Sequence, residues 1–266
     1  MTKPVIRWAG SKRKLLPKLA QLSPKNYNRY IEPFCGSACL FLELEPAKAI
    51  LSDSNSALIN SYQKLKSDPS KVLSFVLRWP RTKDFYYTLR ATIPSESKDD
   101  VFGAARFLYL NRLCFNGVYR ENKSGYFNVP YAESRSGQFP TEKEFLEFSK
   151  ELQKAEIVCS DFGESLDRSE KDDFVYLDPP YSYSEQRHRG EYGYNVFTCD
   201  DEERLIKKVS EASERGVKIL ISYNKAQRLR KKLVKWHLSY APVRRSVAGF
   251  SKHRKVVREF QLRNYV

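Results

Sequence analysis

Nothing in this 266-residue chain is apolar for long enough to span a bilayer, and Met1-Thr2-Lys3-Pro4-Val5 has no signal-peptide core. Neither a membrane protein nor an exported one is expected, and the cytoplasm is the expected location. Cysteine is sparse: Cys35, Cys39, Cys114, Cys159 and Cys199 are odd in number and scattered. Cys35 and Cys39 have a C-x3-C spacing, but no second pair and no histidine cluster accompanies them, so reduced thiols are expected, with no zinc or other metal. Acid is scarcest where base is densest. From Lys225 to Val266 thirteen Lys or Arg residues stand against one acid, Glu259.

The formal net charge is +15, which favours a polyanionic partner, nucleic acid above all. Lys225 to Lys235 looks like a basic helix and Val243 to Asn264 like a hairpin with a basic, flexible turn from Ala248 to Lys255 that includes Lys252 and Arg254. A charge run can be only a solvated face, but an asymmetry this large fits contact with backbone phosphates better.

The chain can be arranged around Asp178-Pro179-Pro180-Tyr181. The preceding run, Phe174-Val175-Tyr176-Leu177, has the character of a buried strand. Two prolines can neither continue a helix nor serve a sheet ladder, so the chain must turn at the strand's carboxyl end, where open α/β sheets bind ligands. A carboxylate and a proline carbonyl can accept hydrogen bonds from an exocyclic amine while a ring stacks on the heterocycle that carries it. A plain turn with a capping acid is the alternative.

Other segments repeat the pattern of strand, turn and helix. Tyr30-Ile31-Glu32 leads into Pro33-Phe34-Cys35-Gly36-Ser37-Ala38 and an apolar helical run from Cys39, the first half of a nucleotide-binding βαβ unit. Ala49 to Ser52 is a second strand ending at Asp53, an acid spaced to take a ribose diol or else to cap the helix Ser56 to Lys66. Ala155 to Ser160 is a third, closed by Asp161-Phe162, a pair suited to an adenine and equally able to form a turn. At the N-terminus, Trp8-Ala9-Gly10-Ser11-Lys12 makes a turn with Ser11 as N-cap of a helix from Lys12 to Leu22, an anion and ring cradle or a plain basic cap. Thr198-Cys199-Asp200-Asp201 opens a helix to about Arg215, and Val217 to Ser222 is another strand.

Between these pieces, Ser61 to Lys154 is helical in spacing. Residues 61–154 therefore form an inserted, mostly helical domain, and residues 1–60 with 155–266 form an α/β core. Within the insert, Asn111 to Pro130 interleaves Arg112, Asn116, Arg120, Asn122, Lys123 and Asn128 with rings and glycines. Such a stretch can contact base edges and phosphates, or be a glycine-rich hairpin with a solvated basic tip. Ser182 to Tyr194 is polar and without periodicity, a loop in which His188 is read as solvated, not as a general base.

These motifs together resemble the Dam-type DNA adenine N6-methyltransferases (D12 class, alpha group), and the likeness covers nearly the whole chain. It is carried by Trp8-Ala9-Gly10-x-Lys12, Phe34-x-Gly36, Asp178-Pro179-Pro180-Tyr181 and, most extensively, Asn111-Arg112-x-x-x-Asn116-Gly117 through Gly125-x-Phe127-Asn128-Val129-Pro130. The resemblance implies a Rossmann-like S-adenosylmethionine-dependent methyltransferase core. It also implies cofactor contacts from Trp8, Ala9, Gly10, Lys12, Phe34, Gly36, Ser37, Asp53, Asp161, Phe162 and Asp178. Asp178, Pro179, Pro180 and Tyr181 would be catalytic, holding a flipped adenine. Arg112, Asn116, Arg120, Asn122, Lys123, Asn128, Lys252 and Arg254 would contact double-stranded DNA. Oligomeric state is left open, with a monomer admissible.

Two positions depart from the family pattern. Ala38 replaces its last glycine, a change expected to be tolerated unless the residue must adopt φ > 0. Ser124 stands where Gly-Ala-Thr-Cys-specific members carry arginine, which leaves the recognition sequence open. Methylation of cytosine N4 or of RNA shares the grip chemistry, and a non-catalytic DNA-binding relative is the other alternative. An acid at position 178, where cytosine enzymes more often have serine, favours adenine.

Overall fold

Strands β1 (Tyr30–Glu32), β2 (Ala49–Asp53), β3 (Ala155–Cys159), β4 (Phe174–Leu177) and β5 (Lys218–Tyr223) are parallel, and β6 (His237–Arg244) and β7 (Val256–Arg263) form an antiparallel hairpin along β5. The order is β3-β2-β1-β4-β5-β7-β6. The computed structural model describes residues 2–92, 100–122, 124–133, 138–180, 197–223, 227–244 and 256–266. Tyr181, Lys123, Lys252 and Arg254, the loop with His188 and the turn of the C-terminal hairpin lie outside them.

Alternate residues of the central strands divide between two cores. Tyr30, Phe174, Tyr176 and Leu220 face one, with Phe41, Leu58 and Tyr62. Ile31, Val175, Leu177, Ile219 and Ile221 face the other, with Leu205, Val209 and Leu229. All of β1 and β4 is buried because helices cover both faces, which is why these strands are continuous apolar runs. A one-residue slip of β4 would exchange its aromatic and aliphatic faces and disrupt both cores at once.

Helix α1 (Leu16–Leu22) precedes the sheet and α2 (Cys39–Leu44) follows β1. Between β2 and β3 come α3 (Ser56–Ser67), α4 (Pro69–Arg78), α5 (Lys83–Ala91), α6 (Val101–Leu113) and α7 (Glu142–Leu152). Helix α6 is buried almost all round, from Ala104 to Leu110 without a break. After β3 come α8 (Phe162–Asp167), α9 (Cys199–Glu214) and α10 (Gln227–Lys232). Thr198 and Asp201 close the expected capping box of α9, and Gly216 at φ +86° ends that element.

Two sequence expectations need correction. The N-terminal helix begins later than Lys12: Arg13–Leu15 is a 3₁₀ turn and Ser11 caps nothing. Pro17 cannot donate to a carbonyl four residues back, so the α-helix starts with proline in its first turn. The C-terminal hairpin reaches further back than Val243, because His237 to Pro242 pair with Arg263 to Arg258. Among the described residues no helix is long and apolar enough to cross a membrane.

Candidate active site

Strand order reverses between β1 and β4, and a crevice opens at their carboxyl ends. Carboxylates collect there: Glu32 ends β1, Asp53 ends β2, Asp161 lies just past β3 and Asp178 follows β4. A cavity of about 430 Å³ is lined by all four, and by Trp8 to Lys12, Phe34 to Ser37, Asn55, Phe162, Pro179, Pro180, Phe197 and Arg204. The sheet thus brings together segments that sequence spacing had marked separately.

The turn after β1 forms one wall. Gly36 has φ +45°, and a Cβ there would lie 2.6 Å from Trp8 Cδ1, so only glycine fits. Its N–H donates to Asp53 Oδ2 at 3.3 Å, and the Asn55 N–H donates to Asp53 Oδ1 at 3.0 Å. Asn55, not Asp53, caps α3, accepting from the Leu58 N–H at 2.9 Å. Asp53 is therefore tied to the glycine turn and the cavity, and the capping alternative does not hold. Burial, restrained by these N–H groups, raises the Asp53 pKa to about 6. Ala38, at φ +51°, does occupy the left-handed region, so its methyl is a real departure in backbone terms.

Asp178, Pro179 and Pro180 form another wall. Lys12 Nζ donates to Asp178 Oδ1 at 2.6 Å and to the Gly10 carbonyl at 3.3 Å. The same ammonium is 3.2 Å from Glu259 Oε1. Burial raises the Asp178 pKa to about 6; Lys12 opposes the shift and Glu259 adds to it. Glu32, wholly buried beside this group, accepts from Tyr30 at 2.9 Å and is pushed well above the carboxylate range, by burial first and Asp178 further down.

Rings and an ion pair close the remaining side. Phe34 stacks on Phe162 with centroids 5.4 Å apart, and Phe197 meets Phe34 edge-on. Arg204 lies over Phe162 at 4.2 Å and forks onto Asp161 at 2.7 and 2.9 Å. Asp161 also caps α8 through the Gly163 N–H at 2.8 Å. Asp161 is thus the turn former of its sequence reading, and it also lines the cavity.

The expected DNA-contacting residues divide. Glu121 and Phe127 bridge an antiparallel hairpin, and the Asn122 side-chain oxygen accepts from the Ser124 and Tyr126 N–H groups at 3.0 Å, shaping its tip. Arg120 donates to Asn128 Oδ1 at 2.7 Å across the two strands. Asn116 is exposed in a 3₁₀ turn at φ +56°. Arg112 is a correction: its guanidinium faces inward onto the carbonyls of Pro4, Val5 and Gln138. Burial, with Arg7 and Arg13 nearby, lowers its pKa to about 10. It clamps the N-terminal segment and has no fork left for a base edge.

Glu259, Arg204 and Asn55 escaped the sequence reading. Glu259 alone had a signal, as the one acid in a basic segment two residues before the equally buried Gln261. Arg204 and Asn55 become site residues only through tertiary placement.

The chain is similar to known proteins over most of its length. The family model described as D12 class N6 adenine-specific DNA methyltransferase matches residues 8–247. A Type II methyltransferase, M1.LlaDCHI, of Lactococcus lactis subsp. cremoris is 33% identical over 99% of this chain and 95% of that protein. A DNA adenine methylase of Vibrio cholerae is 35% identical over 82% of this chain and 79% of its own length. That of Escherichia coli K12 is 33% identical over 96% and 92%.

Proposed function

The chain belongs to the D12 class N6 adenine-specific DNA methyltransferase family and is a site-specific adenine methyltransferase of DNA, and we propose that its donor is S-adenosylmethionine, bound in the crevice beside Asp178. The donor set fits such a ligand. A cationic nucleoside suits a cavity rimmed by carboxylates, and Gly36 lets the turn close against Trp8, a ring that lines the same cavity. Asp53 would take the ribose diol, Phe34 and Phe162 the adenine ring, and Trp8, Ala9, Gly10, Lys12, Ser37 and Asp161 the rest of the rim. When bound, S-adenosylmethionine supplies a methyl group activated by a sulfonium centre.

The protein's own part is to grip the target. We assign Asp178, as a carboxylate, and the Pro179 carbonyl to hold the exocyclic amine of an adenine flipped from duplex DNA, so that its lone pair points into the cavity. Pro180 fixes the turn and Tyr181 stacks on the base. With a pKa near 6, the Asp178 carboxylate can also take the proton that the amine sheds. The observation that carries this reading is the Asp178 carboxylate facing the same cavity as the glycine turn and Asp53. We assign residues 61–154 to target recognition, with Asn116, Arg120, Asn122, Lys123 and Asn128 at the DNA. The basic α10 and the hairpin with Lys252 and Arg254 would hold phosphates. Residues 1–60 and 155–266 would form the catalytic core, acting in the cytoplasm without metal.

Tritium from labelled S-adenosylmethionine should appear in N6-methyladenine of duplex DNA, identified by mass spectrometry, and Asp178→Ala should abolish it. Full activity in that variant would refute the assignment.

A further inference from the structure

The lone acid of the basic C-terminal segment does not serve to neutralise its neighbours at the surface. Glu259 lies on β7, opposite Ala241 of β6, and is only 2% exposed. Its Oε1 accepts from Ser222 Oγ on β5 at 3.3 Å and stands 3.2 Å from Lys12 Nζ. Lys12 is itself buried, and its ammonium lies between two carboxylates, Asp178 at 2.6 Å and Glu259 at 3.2 Å. Three segments far apart in the chain, the N-terminal turn, the end of β4 and the last strand, meet at this one nitrogen.

The shorter contact carries a consequence. Lys12 donates to Asp178 Oδ1, on the carboxylate that must accept the target amine. An incoming N–H has to share that carboxylate with Lys12 or displace it. Stripping a buried ammonium of its acid is costly unless a second acid is within reach. Glu259 already is, and Ser222 holds it there.

We propose that Glu259 is a positioning residue, the alternate acceptor that keeps Lys12 when Asp178 turns to the target amine. Asp178 then exchanges one hydrogen-bond donor for another: the lysine N–H leaves, the base N–H arrives, and no covalent bond changes. Lys12 stays an ammonium and both acids stay carboxylates during this exchange, which precedes methyl transfer. Without the second acid, Lys12 competes with the base for Asp178. The proposal rests on Asp178 being the amine acceptor.

Glu259→Gln tests it, since the amide keeps the volume and an acceptor for Ser222 while removing the charge. With S-adenosylmethionine and unmethylated duplex DNA, kcat should fall about tenfold, with KM for DNA and Tm little changed, as for an interaction made only after DNA has bound. In a Lys12→Met background the same substitution should cost less than twofold in single-turnover rate, or restore activity, because no ammonium is left to hold. Ser222→Ala should shift kcat in the same direction by less, and it decides the matter should Glu259→Gln lower Tm. An unchanged kcat in Glu259→Gln, or an equal loss with and without Lys12, would overturn the proposal. Asp178→Ala separates the two levels. If it stays active, the amine-acceptor assignment fails; if it is dead while Glu259→Gln keeps its kcat, only the role of Glu259 does.

Discussion

The indole of Trp8 stacks on the ring of Tyr119, 5.7 Å between centroids and 21° between planes. Trp8 lines the cavity, and Tyr119 lies two residues before the Glu121–Phe127 bridge of the basic hairpin, also packed against Phe107 and Phe127. One ring pair therefore joins the proposed cofactor wall to the proposed recognition hairpin. Such a stack contributes about 0.5–1.5 kcal/mol beyond area burial. Tyr119→Leu keeps an apolar side chain and removes the stack and the hydrogen bond to Glu121. S-adenosylmethionine affinity, measured by calorimetry without DNA, should weaken roughly two- to tenfold. An unchanged Kd would mean that Trp8 holds its place without Tyr119.

Gly36 and Ala38 share a left-handed backbone but should respond differently to one methyl group. Gly36→Ala drives its Cβ into Trp8 and should weaken cofactor binding more than any other single methyl in the turn. Ala38→Gly removes a side chain from φ +51°, where an L-residue costs roughly 1–2 kcal/mol. The freer unfolded glycine chain takes back about 0.4–1 kcal/mol. Ala38 is also fully buried, so its lost methyl costs about 0.8 kcal/mol, and urea unfolding should change by less than about 1 kcal/mol.

Partial burial raises the Asp178 and Asp53 carboxyls from the ordinary 3.8 to about 6. A protonated carboxyl loses acceptor capacity, so the rate of methyl transfer should rise with pH through about 6. Stability should move the other way. Between roughly pH 4 and 6 the native state keeps protons that the unfolded chain has released, so unfolding free energy falls as pH rises. The stability difference between wild type and Asp178→Asn should therefore shrink or reverse over that window. A difference independent of pH would mean that Asp178 is not held neutral by the fold.

Arg29 supports the fold away from the site. Its guanidinium forks onto Asp173, at 2.6 Å to Oδ2 and 3.1 Å from Nε to Oδ1, and Asp173 is 1% exposed just before β4. Arg29→Ala would leave that carboxylate buried with the Glu170 N–H but without its cation. A loss on the order of 3 kcal/mol is expected in urea unfolding. Below the unfolding transition, kcat should stay within about twofold.

The strand at 174–177, the glycine turn after β1 and the acid ending β2 were legible because each depends on local rules. Continuous apolar runs mark buried parallel strands, and proline or glycine marks where they stop. The meeting of those turns was legible only as a resemblance. Arg112 shows the limit: its type and spacing suit a base edge, yet the fold directs it onto the carbonyls of Pro4 and Val5 in the N-terminal segment and of Gln138.

The sequence by itself determined the strand and helix periods, the basic balance and the quartet after β4, since these follow from side-chain type and short-range geometry. Tertiary structure alone decided that Lys12, Asp178 and Glu259 share one buried point. Burial turns three ordinary charges into a coupled set, because away from water each must find its partner inside the protein. No spacing along the chain records that requirement.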